Sequence, residues 1–332
     1  METKTARLLS IVVPCFNEQD VINETSRQLT AECERICAIY GFHFEIVFVD
    51  DGSRDATLSL LHNIHASHCA RGTPGEPASR TLGTVRVIAL SRNFGHQVAL
   101  TAGLSSARGE AVVAIDADLQ DPPAVIEQML LRYLDGVDVA YGMRRTREGE
   151  TVFKRFTARL FYLLVRKLTR IDIPLDTGDF RLMSRRALDV FLGMPERHRF
   201  IRGMIPWIGF RQEAVLYDRA RRFAGVTKYP FSKMFHLALD GITSFSNAPL
   251  QSAYLAGFGV AGLCLLCALY VLLRQVIWGF PVHGWASLMV GMLFIGAVQL
   301  ITVGILGDYI GRIYDQVKMR PLFIIDEQAS RR

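Results

Sequence analysis

The sequence predicts an α/β protein in which a doubly wound, mostly parallel sheet is followed by a hairpin of two membrane-spanning helices. Three observations support this fold class. Short apolar runs alternate with segments of helical spacing as far as Tyr141, and polar side chains directly follow four of these runs. Residues 241–307 contain a single residue with a permanent charge, Arg274.

The composition excludes several classes of protein. The chain has 332 residues, 50% of them apolar, with a net charge of +6 and a mean hydropathy of +0.21. A disordered chain would be less apolar and more highly charged, and six cysteines are too few for a disulfide scaffold of this length. The concentration of the apolar excess in one region also argues against an ordinary soluble enzyme. At about 150 residues per domain, the length of the chain predicts roughly two domains.

The alternation of strands and helices follows from the spacing of apolar residues. The predicted strands are Leu8–Val13, Glu45–Val49, Val85–Leu90, Ala111–Ile115 and Val137–Tyr141. The predicted helices between them are Glu18–Tyr40, Asp55–His65, Val98–Ala107 and Pro122–Leu134, the last with prolines in its first turn, where they are tolerated. Cys69–Thr84 is rich in Gly, Pro, Ser and Thr and is predicted to be a surface loop; we assign it no role.

Polar residues cluster where the predicted strands end. The clusters are Phe16-Asn17-Glu18, Asp50-Asp51, Arg92-Asn93 and Asp116-Ala117-Asp118. Strands that read as unbroken apolar runs are typical of a parallel sheet covered on both faces. Such sheets bind ligands beyond the carboxyl ends of their strands, so the four clusters are expected to line one crevice.

The crevice lacks the usual phosphate-binding loops and is acidic. No G-x-G-x-x-G follows the first strand and no G-x-x-x-x-G-K-[ST] occurs, which argues against a dinucleotide site or a P-loop. Asp116 and Asp118 point the same way on an extended chain. Two hard oxygen ligands at that spacing suit Mg²⁺ or Mn²⁺ shared with substrate phosphates. The alternative is a solvated turn that caps the next helix.

The C-terminal region predicts two membrane spans, near Leu250–Leu273 and Trp285–Gly307. The alternative is a pair of buried core helices. Lys and Arg flank both spans, at Arg219, Arg221, Arg222, Lys228 and Lys233 and at Arg312, Lys318, Arg320, Arg331 and Arg332. This distribution predicts that both flanks lie in the cytoplasm. The segment Met1–Arg7 is polar and the following apolar run is short, so no signal peptide is expected.

Taken together, the motifs resemble those of a known family. The segments that carry the resemblance are Pro14–Glu18, Val49–Asp55, Ser91–Gly95, Asp116–Pro122, Asp176–Arg181, Gly225–Tyr229 and Gly307–Arg312. Their order is similar to that of glycosyltransferase family 2, within it to the polyprenyl-phosphate glycosyltransferases, such as bactoprenol glucosyltransferases and dolichol-phosphate mannosyltransferases. Thr227 stands where the family often has Ser.

The resemblance implies a GT-A fold and an inverting transfer of one sugar from a nucleotide sugar to a polyprenyl phosphate such as undecaprenyl phosphate. It implies a nucleotide site made of Pro14, Phe16, Glu18, Asp50, Asp51, Asp116 and Ala117. Either Asp50 or Asp51 would hydrogen-bond the base. It implies Mg²⁺ or Mn²⁺ bound by Asp116, Asp118 and Gln120. Glu18 could instead be an N-terminal helix charge, and Asp55 is interpreted as a helix cap rather than a ligand.

The phosphate acceptor that the family implies calls for positively charged side chains in the enzyme more than for a general base. The second pKa of a phosphate monoester is about 6, so the acceptor is already a nucleophile at neutral pH and electrostatic positioning should dominate. The residues expected to act in catalysis are Asp116, Asp118, Arg144, Arg147, Arg202, Arg222 and Lys228, with Arg145 a weaker candidate. Some of these basic residues could instead face anionic lipid.

Two basic amphipathic segments, Lys154–Arg170 and Tyr229–Phe245, are expected to lie in the headgroup plane, unless they are ordinary core-facing helices. The expected organisation is therefore a cytosolic catalytic domain (1–228), an interfacial helix (229–248), two transmembrane helices (249–310) and a cytosolic tail (311–332). The expected location is the bacterial inner membrane.

Two other functions compete with this hypothesis. A processive polysaccharide synthase of the same fold would need a Q-x-x-R-W motif, which Met204–Phe210 lacks. A non-enzymatic membrane scaffold would not need the acidic motifs. UDP-glucose is the first expectation for the donor, with mannose, galactose, N-acetylglucosamine and aminopentose open. The partners expected are the nucleotide sugar, the lipid and the membrane, with self-association possible and no nucleic acid.

Overall fold

The computed structural model describes residues 7–71, 83–145, 177–219, 248–278 and 284–330. The chain divides into two compact units. The first comprises Met1–Met234 together with Arg320–Arg332, and the second comprises Phe235–Met319. The C-terminal residues therefore belong to the same unit as the N-terminal part of the chain.

The first unit contains a seven-stranded sheet. Its strands are β1 (Arg7–Cys15), β2 (Phe42–Asp50), β3 (Gly83–Ala89), β4 (Ala111–Ala114), β5 (Val139–Arg144), β6 (Thr177–Ser184) and β7 (Gln212–Tyr217). Their spatial order is β3-β2-β1-β4-β6-β5-β7. Among the described strands, only β6 runs antiparallel to its neighbours β4 and β5, whereas the other pairs are parallel. The prediction of a mostly parallel sheet is confirmed.

The described helices of this unit are α1 (Ile22–Tyr40), α2 (Thr57–Arg71), α3 (His96–Ser106), α4 (Val125–Leu134), α5 (Arg185–Gly193) and α6 (Ile201–Ile208), and a short C-terminal helix, α9 (Glu327–Ser330). Helix α1 buries Ile22, Leu29 and Ile36, one apolar face at helical spacing. It ends at Gly41, which adopts the left-handed conformation and donates its N–H to Cys37 O.

The predicted boundaries differ from the observed ones at several ends. Helix α1 begins at Ile22 rather than Glu18, because the carbonyl of Glu18 closes a turn by accepting the N–H of Val21 and of Ile22. Helix α2 extends to Arg71 and β3 begins at Gly83, so both ends of the predicted Cys69–Thr84 loop lie in regular structure. Residues 72–82 lie outside the described part of the chain.

The core lies on both faces of the central strands. Ile11 and Val12 on β1, and Ile46 and Val47 on β2, have no solvent exposure, which explains why consecutive residues in the middle of these strands are apolar. Strand β6 extends this core with Phe180 and Leu182. The same strand also buries Asp179 and Arg181, so it brings charged groups into the sheet beside β4.

The second unit contains two long helices, α7 (Ala248–Trp278) and α8 (Trp285–Val317), which pack against each other. Each contains a stretch long and apolar enough to cross a membrane, Leu250–Cys267 and Phe294–Val317. Almost none of these residues is buried by the protein, and Leu265 and Leu300 are 72% and 76% exposed. The helices therefore lack the protein covering that a buried core pair would have, in keeping with a membrane hairpin.

Candidate active site

The site begins where β1 and β2 end side by side, with Cys15 in register with Asp50. The segment after β1 is tied to the segment after β2. The N–H of Asn17 donates to Ser53 Oγ (3.0 Å) and the N–H of Glu18 donates to Thr57 Oγ1 (2.8 Å). These bonds hold the Pro14–Glu18 segment against the start of α2, at the carboxyl edge of the sheet.

Asp55 is a helix cap, as the sequence predicts. Its Oδ1 accepts the N–H of Thr57 (3.0 Å) in the first turn of α2, and its Oδ2 accepts the N–H of Gln19 (3.3 Å). These bonds to the charged form lower the pKa of Asp55 even though partial burial opposes the shift. Its carboxylate therefore organises the loop.

Asp50 and Asp51 have different environments although they are neighbours. Asp51 accepts the N–H of Phe94 through Oδ1 (2.7 Å) and the N–H of Gly95 through Oδ2 (2.9 Å), and Asn93 Nδ2 also donates to Oδ2 (3.0 Å). Asp50 accepts one backbone N–H, from Ser53, through Oδ2 (3.1 Å). Within the described part of the chain, Asp50 Oδ1 is buried and has no hydrogen-bond partner.

Asp51 is therefore a structural carboxylate, whereas Asp50 has an oxygen that is available to a ligand. Asp51 fastens the loop after β3, whereas Asp50 retains an unused acceptor in a desolvated position. Burial raises the pKa of both Asp50 and Asp51, because a carboxylate loses hydration there. A ligand N–H placed at Asp50 Oδ1 would offset that loss.

Asp116 and Asp118 lie just beyond β4 in a turn in which Leu119 has a positive φ of 56°. Asp118 Oδ1 accepts the N–H of Gln120 (3.2 Å). Asp116 Oδ1 lies 3.5 Å from His96 Nε2, and its side chain is one-third exposed. Desolvation in the crevice raises the pKa of Asp116 to about 6, and the carboxylates of Asp179, Asp121 and Asp118 add to the shift while His96 opposes it.

A buried network centred on Asp179 faces these carboxylates. Arg202 contributes Nε 3.0 Å from Asp179 Oδ1 and Nη2 3.1 Å from Oδ2. His96 Nε2 lies 3.2 Å from Asp179 Oδ2, and Gln97 Nε2 donates to the same oxygen (3.1 Å). Although burial opposes it, Arg202 and His96 hold the pKa of Asp179 well below its usual range. Asp116 and Asp179 together raise the pKa of His96 to about 9 against the effect of burial.

Another buried carboxylate, Asp121, lies in the turn that follows Asp118. Tyr217 at the end of β7 donates its hydroxyl hydrogen to Asp121 Oδ1. Arg144 at the end of β5 has Nη2 3.8 Å from the same oxygen and donates Nε to Tyr217 Oη (3.4 Å). Burial raises the pKa of Asp121, and these two partners lower it. A Cβ on Gly178 would lie only 3.2 Å from Arg144 Nη2, so a glycine leaves room for the arginine.

With this geometry established, comparison with known proteins identifies the family. The sequence profile described as Glycosyl transferase family 2 matches residues 10–192, which include every described carboxylate of the site. The chain belongs to glycosyltransferase family 2. It is therefore a glycosyltransferase, as the sequence motifs indicate.

Relatives of this glycosyltransferase match it over nearly its whole length. The uncharacterized glycosyltransferase YkcC of Bacillus subtilis is 44% identical over 96% of this chain and 93% of its own. The SfII prophage-derived bactoprenol glucosyl transferase of Shigella flexneri is 40% identical over 96% of this chain and 97% of its own. Among solved structures, mannosyl-3-phosphoglycerate synthase from Rubrobacter xylanophilus is 20% identical, with a TM-score of 0.48 over 74% of this chain and 75% of that one.

The structure brings only some of the predicted site residues of the glycosyltransferase into contact. Arg202 and Asp116 meet at the His96–Asp179 network, whereas Arg144 joins Asp121. Gln120 accepts a hydrogen bond from Arg219 through Oε1, so its assignment as a metal ligand stays a prediction. The predicted residues Arg147, Arg222 and Lys228, and the amphipathic segments Lys154–Arg170 and Tyr229–Phe245, lie outside the described residues.

The remaining predicted nucleotide residues lie at the edge of the same crevice. Pro14 is in β1, in register with Val49, and Phe16 is half-buried. Ala117 is buried, and its carbonyl accepts the hydroxyl hydrogen of Thr25 (2.6 Å). Their roles stay predictions.

Sequence reasoning assigned no role to His96, Asp179 or Tyr217. Asp179 lies in a motif that supported the family resemblance, and a charged residue in a strand that also carries Phe180 and Leu182 is a signal of a buried network. No comparable signal exists for His96 or Tyr217, because their partners are distant in sequence.

The carboxylates of Asp116 and Asp118 fit a divalent cation for which the protein supplies only some of the ligands. No three His, Cys, Asp or Glu side chains of the described segments are close enough together to hold a metal. Asp116 and Asp118 offer two carboxylates. Desolvation and the neighbouring carboxylates of Asp179, Asp121 and Asp118 raise the pKa of Asp116. Mg²⁺ is commonly bound by one or two carboxylates, with substrate phosphates and water supplying the rest.

Proposed function

We propose that this glycosyltransferase moves a single sugar, with inversion, from a nucleotide sugar to the phosphate of a polyprenyl phosphate such as undecaprenyl phosphate. The observation that carries the proposal is the partition of the crevice between Asp50, which has an unused buried oxygen, and Asp116, which lies one-third exposed among other carboxylates. Asp50 suits a nucleobase, and Asp116 suits a cation that binds a diphosphate. The relatives named bactoprenol glucosyl transferase support the lipid acceptor.

Asp50 favours a donor whose base offers an N–H. A buried carboxylate accepts hydrogen bonds. Uracil and guanine offer a ring N–H, whereas cytosine and adenine offer only the hydrogens of an exocyclic amino group. The proposed donor is a UDP-sugar or a GDP-sugar. UDP-glucose is the first choice, because of the names of the relatives.

Asp116 and Asp118 would hold the Mg²⁺ or Mn²⁺ ion, with Gln120 proposed as a third ligand. When bound, such an ion acts as a Lewis acid that neutralises the charge on the departing nucleoside diphosphate. The protein's own contribution is to fix these carboxylates. His96 Nε2 lies 3.5 Å from Asp116 Oδ1 and is itself held by Asp179, so the His96 ring limits how Asp116 can turn.

The acceptor chemistry needs no strong base in this proposal. A phosphate monoester with a second pKa of about 6 is already anionic at neutral pH, so its oxygen can attack the anomeric carbon directly. Arg202, oriented by Asp179, and Arg144 are the described cations proposed to bring two anions together. Arg147, Arg222 and Lys228 are proposed to share that work.

The proposed location is the bacterial inner membrane, with the catalytic domain (1–228) and the tail (311–332) in the cytoplasm and the spans within 249–310. Support comes from the two exposed apolar helices and from chain connectivity. Residues on both sides of the helical pair belong to one compact unit. Two crossings return the chain to the side on which it started, as this arrangement requires.

The direct test supplies the purified full-length protein, in lipid nanodiscs, with UDP-glucose, undecaprenyl phosphate and Mn²⁺ and detects the product by mass spectrometry. A lipid product that carries one hexose is expected. A polymeric product would favour the processive synthase instead. Failure with every UDP- and GDP-sugar, with no nucleotide binding by calorimetry, would favour the scaffold alternative and contradict the proposal.

A further inference from the structure

The edge of the sheet next to the candidate site is covered by the end of the chain. Strand β3 is the edge strand, and Ile325 forms an antiparallel bridge with Leu90, just beyond it. The N–H of Asp326 donates to Ala89 O (2.8 Å), and the N–H of Ser91 donates to Ile324 O (2.9 Å). An edge strand otherwise leaves such groups unpaired.

The end of this C-terminal segment makes a further hydrogen bond to Ala89, through the side chain of Ser330. Asp326 Oδ1 accepts the N–H groups of Gln328 and Ala329, both at 3.0 Å, and so caps α9. That short helix places Ser330, whose Oγ accepts the N–H of Ala89 (3.0 Å) and donates to Asp326 O (2.7 Å). The C-terminal segment therefore bonds to Ala89 and Ser91, on either side of Leu90, through backbone and side chain.

These three residues lead directly into the proposed donor site. On the side away from the C-terminal segment, the N–H of Leu90 donates to Asp50 O (2.9 Å). The chain then continues into Asn93, Phe94 and Gly95, which hold the carboxylate of Asp51. Fixing the end of β3 thus fixes the backbone beside Asp50 and the loop that binds Asp51.

We propose that residues 320–330, which we call the strap, are a positioning element for the nucleotide half of the active site, an inference that rests on the proposed function. The strap continues directly from the second hydrophobic helix, so the segment that leaves the membrane hairpin also completes the donor side of the sheet. Its loss should loosen residues 89–95 and weaken nucleotide binding, because more chain must be ordered when the nucleotide binds. Binding of the lipid acceptor should not change.

The test compares two substitutions at one position in the full chain. Asp326→Pro removes both the N–H that bonds Ala89 and the capping oxygen, whereas Asp326→Asn keeps an N–H and a capping oxygen. In Asp326→Pro we expect faster hydrogen exchange at residues 89–95 and a dissociation constant for UDP with Mn²⁺ about tenfold higher, or about 1.4 kcal/mol. The KM for undecaprenyl phosphate should stay unchanged, and Asp326→Asn should behave as wild type.

A truncated chain that ends at Arg320 gives a second measurement. Adding a synthetic peptide of residues 321–332 should restore slow exchange and UDP affinity. Unchanged exchange in Asp326→Pro, or fast exchange with wild-type UDP affinity, would overturn the inference, since the strap would then be absent in solution or only an edge cover. If wild-type protein binds no UDP or GDP, the proposed function fails, and the exchange measurement separates that result from failure of the strap.

Discussion

Arg202 on α6 and Asp179 on β6 form an ion pair with two parallel contacts, Nε to Oδ1 at 3.0 Å and Nη2 to Oδ2 at 3.1 Å. Asp179 is 4% exposed and the Arg202 side chain is 32% exposed. The pair therefore links the interior of the sheet to the crevice, and it orients the guanidinium proposed to face phosphate. The same carboxylate contacts His96, which lies next to Asp116.

The first prediction concerns this ion pair. Asp179→Asn should lower the free energy of unfolding by about 1–3 kcal/mol, because buried partners lose hydrogen bonds to a charged group. It should also lower kcat, since Arg202 is no longer oriented. Asp189→Asn, which removes a 3.6 Å contact to Arg185 from a carboxylate that is 61% exposed, should change stability by less than about 1 kcal/mol. Equal effects of both substitutions on thermal unfolding would contradict the prediction.

The second prediction separates the two adjacent carboxylates after β2. Asp50→Asn should leave the unfolding temperature nearly unchanged but raise the dissociation constant for UDP about tenfold, about 1.4 kcal/mol, because one amide group replaces the acceptor oxygen proposed for the base. Asp51→Ala should instead lower the unfolding temperature, since three donors from residues 93–95 lose their acceptor. Calorimetric titration and thermal unfolding of both variants test this. Loss of UDP affinity in neither variant would exclude the proposed base site.

The third prediction concerns the cation. Asp118→Ala should abolish sugar transfer while the unfolding temperature stays close to that of wild type, because the half-buried side chain makes a local bond to the N–H of Gln120, two residues further along. Treatment of the wild-type enzyme with a chelator should abolish transfer as well, and Mn²⁺ or Mg²⁺ should restore it. Rapid transfer by the chelated enzyme would show that no divalent ion is needed.

The sequence predicts the N-terminal half of the sheet well because these strands are buried on both faces. Val12 and Val47 are as buried as Ile11 and Ile46, so apolar residues follow one another in the sequence instead of alternating with polar ones. The crevice follows from the same logic, since parallel strands end at one edge. Five strands and the polar clusters at the ends of four of them are therefore visible in the sequence.

The rest depends on contacts that sequence spacing does not encode. Strand β6 buries Asp179 and Arg181, which makes it look polar, and the partners that allow this burial are on α3 and α6. The strap is short, and its bonds to Ala89 and Ser91 span more than 230 positions, such as the 241 between Ala89 and Ser330. Neither feature has a local period from which it could be predicted.

The fourth prediction is a pH dependence at the start of β5, outside the crevice. Arg186 donates to both oxygens of Asp138, and Ser184 Oγ donates to Oδ1 (2.8 Å). Arg186 and Ser184 lower the pKa of Asp138 against the effect of burial. A lowered carboxyl pKa stabilises the fold above the unfolded value, near 3.9, and this contribution is lost as the pH falls through the folded value.

Asp138→Asn should therefore lower the free energy of unfolding by about 1 kcal/mol at pH 7. The difference from wild type should shrink as the pH falls below about 4, where the unfolded chain begins to bind the proton before the folded protein does. Denaturant unfolding of both proteins at several pH values measures this. A difference that is constant from pH 7 to pH 3 would assign the stabilisation to a group other than this carboxylate.

The fifth prediction uses two glycines with the same backbone conformation and different surroundings. Gly41 and Gly52 have φ values of +71° and +66°, so alanine at either position costs about 1–2 kcal/mol of backbone strain. A Cβ at Gly41 meets no atom within 4 Å, whereas at Gly52 it would lie 2.5 Å from the carbonyl carbon of Arg92 and 2.6 Å from the nitrogen of Asn93. Only the second substitution forces two backbone segments apart.

Gly52→Ala should thus lower stability more than Gly41→Ala and should also weaken UDP binding, because it moves the loop of residues 92–95 away from Asp51. Gly41→Ala lies at the far end of α1 and should leave UDP affinity unchanged. Thermal unfolding and calorimetric titration of the two variants separate the two effects. Backbone strain from the positive φ is common to both variants, whereas the steric clash with residues 92 and 93 occurs only in Gly52→Ala. Equal losses of stability with unchanged UDP affinity would mean that the loops after β2 and β3 can separate without affecting the nucleotide, which would remove the physical basis for placing the donor between them.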